Sequence, residues 1–402
     1  MFLEVAIALL LGIGTGIITG ITPGLHVNLV SVIVLSLSGV LLYFTSPIVL
    51  GVYIIALAIT HTFLDALPSI YLGAPDEAQA LNVLPGHRLL LKGEGHNAIV
   101  YTTLGALGSL LLGIILFPVF IWSMKRVAPL VQGIMGYLLA GIIIFMISRE
   151  KGKRLKSLVA FLLAGALGLL VLTALPNLRQ PLFPLLSGLF GFSILLTSLM
   201  QKSSIPVQKI KAPLTISNKN ITKSVSTASG MGFIAAFLPG FGSSQAAILG
   251  TNIVGDIGDE GFLALVGGIN TANMLISIGT AYALDKARNG AIVVVKELIG
   301  SIGFQEMLVF LGAALVAGGI ATILTLLLSK VFAKHITKVN YQYLVWGIIG
   351  FIVLLTFMFD GFIGLTILAT ATAIGLLTSF WGVGKNHLMG CLILPVILFF
   401  VL

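Results

Sequence analysis

Phe237-Leu238-Pro239-Gly240-Phe241-Gly242-Ser243-Ser244-Gln245 sets a helix-stopping, hydroxyl-rich turn between two apolar runs. Ile21-Thr22-Pro23-Gly24-Leu25-His26-Val27-Asn28 does the same near the N-terminus, after the glycines Gly12, Gly14, Gly16 and Gly20. Proline lacks an N–H and glycine costs about 1 kcal/mol in a helix interior, so each apolar segment is expected to break here. At membrane depth, broken backbone survives only where protein or a watery cavity surrounds it. Two such breaks at corresponding places of two halves point to a transporter's binding site.

Working outward, the 402 residues are 58% hydrophobic and only 9% charged, with mean hydropathy +1.13, whereas soluble domains carry about 25% charged residues. This predicts an all-helical polytopic membrane protein. Met1-Phe2-Leu3-Glu4 offers no basic n-region, so insertion is expected through an uncleaved first segment. The single cysteine, Cys391, lies in a late apolar run, which rules out an intrachain disulfide and predicts a buried thiol. The net charge of +9 is spread over short loops between apolar runs, the pattern of a topology signal rather than of a nucleic-acid face.

Runs of about 20 apolar residues predict a hairpin over 2–44 and spans over 47–65, 97–120, 127–147, 157–175 and 181–200, with a polar stretch at 66–96 too polar to face lipid. After a polar linker at 201–223 the order repeats, with a hairpin over 224–254, spans over 262–284, 304–329, 341–358, 361–380 and 387–402, and an amphipathic stretch at 285–301. The expected units are therefore 1–200, a cytoplasmic linker 201–223, and 224–402. Pro23 and Pro239 lie 216 positions apart and Asp65 and Asp285 lie 220 apart, which argues for an internal duplication.

Charge sets the orientation. Arg149, Lys151, Lys153, Arg154 and Lys156 crowd one loop, and Lys202, Lys209, Lys211, Lys219 and Lys223 fill the linker. Two spans separate these groups, so both belong on the cytoplasmic side. Each half holds one hairpin and five spans, an odd number of crossings, so the second half is expected upside down relative to the first: two inverted-topology repeats.

Three groups of residues can carry chemistry. At the breaks, resumed helices present free N–H groups and a positive dipole end to an anion. Thr22, His26 and Asn28 add donors beside Pro23 and Gly24, and Ser243, Ser244 and Gln245 add them beside Pro239, Gly240 and Gly242. Gly12, Gly16 and Gly20, spaced by four, serve close helix packing instead. His61 and Asp65 share a helix face, where a proton relay and a water-facing helix cap are the competing readings. Asn270, Thr271 and Asn273 lie mid-span, with Ser277 and Thr280 further along, where sodium coordination competes with plain interhelical hydrogen bonding. No P-loop, Cys-x-x-Cys, His-Glu-x-x-His or nucleophile elbow occurs, so an enzyme is not expected, nor a cofactor beyond a coupling Na+ or H+.

Gly20-Ile21-Thr22-Pro23-Gly24-Leu25, Leu72-Gly73-Ala74-Pro75, Leu84-Pro85-Gly86-His87-Arg88 through Gly95, and Leu238-Pro239-Gly240-Phe241-Gly242-Ser243 resemble the TctA family, the large membrane subunit of tripartite tricarboxylate transporters. The order and spacing match across essentially the whole chain, including Gly188-Leu189-Phe190-Gly191. The resemblance implies a multi-pass plasma-membrane permease for carboxylate anions, coupled to sodium or protons. It also implies a small membrane subunit and an extracytoplasmic binding protein as partners, and leaves room for a homodimer. His26 stands where the family has a glycine, and the chain is shorter than familiar members. A histidine beside a helix N-terminus also suits a phosphate, so the alternative cargo is a polyprenyl-phosphate or similar anionic lipid carrier.

Overall fold

The computed structural model describes residues 2–23, 25–73, 77–150, 152–175, 178–200, 206–237, 242–287, 289–336 and 341–401. Gly24, Pro75, Asp76, Lys151, Lys202, Leu238, Pro239, Gly240, Phe241 and Lys338 lie outside them. Among the described residues there is no strand. Among them, too, seven helices are long and apolar enough to cross a membrane, and three shorter apolar helices accompany them.

Both breaks are present. The helix Phe2–Ile21 stops before Thr22 and Pro23, and the chain resumes at Val27–Ser36 with His26 as its N-cap. In the second half the helix is described over Asn218–Phe237, and a new helix, Ser243–Val254, starts behind Gly242, whose backbone is extended. The second helix pair packs arm on arm, as a hairpin should. Val27–Ser36 instead makes its main contacts with Gly290–Ile299 in the other half. Residues from Asn218 onward, within the expected linker 201–223, are helical.

Pro47–Leu64 and Gly258–Leu284 form the centre, and we call them the first and second crossing helices. Their apolar windows are 83% and 89% buried, against 22% for Val345–Trp381, whose remaining surface is left for lipid. The first crossing helix does not end at Asp65. It continues to Leu72 through a widened turn, Pro68–Leu72, where the missing proline N–H cannot serve the usual i→i−4 bond, and it stops at Gly73 with φ 63°. Spans expected separately at 341–358 and 361–380 are indeed divided, at Gly361, whose φ of 60° breaks the helix.

The glycines spaced by four hold Phe2–Ile21 against the first crossing helix: a Cβ added at Gly16 would lie 2.6 Å from Thr60 Cβ. Gly232 plays the same part on the second crossing helix, where an added Cβ would lie 2.5 Å from Ala272 Cβ. The halves also pack reciprocally. Val27–Ser36 lies on Gly290–Ile299, while Ser243–Val254 lies on the turn Glu77–Asn82; Gly95–Ile115 runs along the second crossing helix, while Phe304–Ile336 runs along the first.

Polar contacts gather several loops at one end of the bundle. Lys153 Nζ donates to the Gly382 carbonyl at 2.7 Å, His387 Nε2 lies 3.2 Å from Glu150, and the Lys209 N–H donates to the Gly93 carbonyl at 2.7 Å.

Candidate functional site: a polar seam between the crossing helices

The first break brings two imidazoles together. His26 Nδ1 accepts the Asn28 backbone N–H at 3.1 Å, which caps the resumed helix and fixes Nδ1 as an acceptor. Its ring centroid lies 5.5 Å from that of His61, and His61 Nδ1 lies 3.1 Å from Thr19 Oγ1. His61 is buried, one turn before Asp65 on the first crossing helix. Asn28 points elsewhere: its side chain fits against Gly290, where a Cβ would meet Asn28 Oδ1 at 2.5 Å. Thr22 and Pro23 stand in the break itself, where the Thr22 carbonyl accepts the Leu25 N–H at 3.2 Å.

At the second break Gln245 Oε1 accepts the Gly242 N–H at 2.9 Å, so this expected donor spends its oxygen on capping the turn. Ser243 and Ser244 are buried. Asn273, on the second crossing helix, donates from Nδ2 to Ser243 Oγ at 3.2 Å. Each crossing helix therefore reaches a break with a polar side chain, the first with His61 and the second with Asn273.

Between these points the crossing helices touch. Thr62 Oγ1 and Thr271 Oγ1 are 3.1 Å apart, and Asn270 Nδ2 donates to Asp65 Oδ2 at 2.7 Å. Gln79 Nε2 donates to the other carboxylate oxygen, Oδ1, at 2.8 Å, and Asn82 Nδ2 donates to Gln79 Oε1 at 2.5 Å. Asp65 is only 3% exposed, which excludes the water-facing cap. Two amide donors hold its two oxygens, the arrangement a buried carboxylate requires.

Four of the expected residues thus fall on one seam: His61, Asp65, Asn270 and Asn273. The two breaks flank it. Sequence reading missed Thr19, Thr62, Gln79 and Asn82, whereas Thr271 was expected beside Asn270. Gln79 and Asn82 had a signal, two neutral amides three apart in a stretch too polar for lipid. Thr19 and Thr62 had none, since a lone hydroxyl in an apolar helix ordinarily bonds its own backbone.

The family model described as the tripartite tricarboxylate transporter TctA family matches residues 6–390. The chain belongs to the TctA family. The uncharacterized protein MJ1079 of Methanocaldococcus jannaschii is 28% identical to it over 403 residues, covering 98% of each chain. No solved structure matches. Membership places this TctA chain among multi-pass membrane transport proteins, as a component of a tripartite tricarboxylate transporter. In this TctA chain His26 and Ser243, each just after one of the breaks, meet His61 and Asn273 on either side of the Asp65–Asn270 contact.

Proposed function

We propose that this chain is the ion-coupled permease of a small organic anion of the carboxylate class, binding its cargo between the two breaks and working by alternating access. The observation that carries the reading is the seam: one buried carboxylate, Asp65, is shared by both halves through Asn270, one turn from the imidazole at the first break. Helix N-termini at both breaks supply positive dipole ends and N–H groups for the anion. Asp65 with His61 suits a proton, and Asp65 with Asn270 suits sodium.

Reciprocal packing supports two inverted repeats, because an upside-down copy meets the elements of its partner in exchanged positions. The basic loops are then cytoplasmic. A small membrane subunit and an extracytoplasmic binding protein are the expected partners, on the family's description as tripartite.

Reconstitution tests this. Purified chain in proteoliposomes should accumulate citrate when a sodium or pH gradient is applied, and the double variant Ser243→Ala, Ser244→Ala should weaken uptake. Undiminished uptake in that variant would remove the second break from the site. No gradient-driven uptake with either ion, alone or with the partner subunits, would overturn the reading.

A further inference from the structure

A cavity of about 440 Å3 opens at the end of the bundle where the basic loops gather, lined among others by Arg88, Phe190, Thr251, Asp256, Asp259 and Lys385. Small-molecule pockets run about 300–1,000 Å3. Thr251 lies on the helix Ser243–Val254, about 12 Å along the axis from Ser243 at 1.5 Å per residue. The cavity therefore lies well away from Ser243, although it adjoins the seam through Ala80 and Leu81, in the turn that carries Gln79 and Asn82.

Its acids are already engaged. Asp259 Oδ1 accepts Arg88 Nη2 at 2.7 Å, an ion pair that joins the two halves. Asp256 is exposed at the rim and takes the Gly258 N–H at 3.1 Å. Glu260, next along, accepts Thr215 Oγ1 at 3.1 Å. Lys385 differs. Its Nζ donates to Ser193 Oγ at 2.6 Å and to the Gly375 carbonyl at 3.4 Å, both uncharged. Among the described residues no carboxylate pairs with it. Burial lowers its pKa to about 8, which leaves the ammonium charged at neutral pH but short of solvation.

A partly buried cation in a cavity wall, bonded only to neutral oxygens, is stabilised by an anion arriving from solution. We propose that this cavity is an anion vestibule, a second station for the transported oxyanion, with Lys385 as the cation that engages a carboxylate or phosphate group. The identity of the ligand as cargo rests on the transport reading; the anion preference of the cavity does not. Apolar walls such as Phe190 would take the ligand's carbon skeleton.

The test uses the full chain with Cys391→Ala and Thr251→Cys, which puts one thiol in the cavity. An anionic methanethiosulfonate should modify it faster than a cationic one of similar size. Lys385→Gln should lower that rate ratio about tenfold, and Lys385→Arg should keep it, as expected for a fixed charge steering a small ion. Ser193→Ala removes the same hydrogen bond but keeps the cation, so it must leave the ratio intact; this separates charge from local packing. Citrate or inorganic phosphate should slow modification in the Lys385 chain and not in Lys385→Gln. A ratio unmoved by Lys385→Gln, or a thiol that neither reagent reaches, overturns the proposal. Because labelling needs no uptake, an inert transporter with an intact ratio would sink the transport reading alone.

Discussion

Where the chain resumes after its first break an imidazole, His26, caps the helix; where it resumes after the second, Gly242 does so with its N–H held by Gln245. His26 and Gly242 are 216 positions apart, the same spacing as Pro23 and Pro239. The partners differ as sharply as the caps. His61 and Thr19 stand at the first break, Asn273 and Ser243 at the second. The two places thus keep a common backbone device while their side chains divide the chemistry: titratable groups at one, neutral amides and hydroxyls at the other. On the transport reading, a proton enters the cycle at the first break, and the second acts as a fixed set of dipoles.

The harshest way to break this comparison is to remove what joins the two sides. Asp65→Ala strands the amides of Gln79 and Asn270 in a buried seam, at a cost of about 1–3 kcal/mol for each orphaned group. Thermal unfolding in detergent should show the full loss, and citrate uptake should vanish. A protein as stable as the parent would mean that the seam does not couple the halves.

Next, the shared backbone device can be challenged in both halves at once. Gly16→Ala and Gly232→Ala each push a Cβ to within 2.6 Å of the crossing helix they touch, so each should cost about 1–3 kcal/mol by overpacking. Gly14→Ala, with nothing within 4 Å, should be neutral or better. Unequal losses at Gly16 and Gly232 would show that the halves are less alike than their packing suggests.

A gentler pair addresses the chemical division. His61→Gln should abolish uptake driven by an applied pH gradient. Asn273→Ala should leave the choice of driving ion alone and weaken apparent affinity about threefold, the loss of one interhelical hydrogen bond of about 0.6 kcal/mol. The reverse pattern would move ion coupling to the second break.

The smallest effect belongs to the surface. Arg88–Asp259 joins the halves, whereas Lys296–Asp285 stays within one. Arg88→Gln and Lys296→Gln should each cost under about 1 kcal/mol, because exposed pairs are screened. Only Arg88→Gln should speed hydrogen exchange at 255–260, beside the cavity.

Much of the fold was legible because it rests on local rules. Proline and glycine end helices wherever they fall, so the breaks at Pro23 and before Gly242 could be placed from composition alone, and Gly361 divides two spans for the same reason. The reading failed where a neighbour outvoted the local rule. Asp65 looked like the water-facing end of a span, yet the helix runs on to Leu72 and the carboxylate is buried under Gln79 and Asn270. Its counterpart by spacing, Asp285, is exposed at a helix end and bonded to Lys296. Equal offsets therefore did not give equal surroundings.

By itself, then, the order of residues determined that this chain lives in a membrane, how its apolar runs are cut, and where polar groups sit beside each cut, because hydropathy and backbone permissiveness are properties of short segments. Only the tertiary structure decided that Asp65 meets Asn270, that His61 meets His26, and that Lys385 lines a cavity with no carboxylate paired to it among the described residues. Those contacts join residues tens to hundreds of positions apart, and they follow from which helices cross and at what height, which local propensities do not specify.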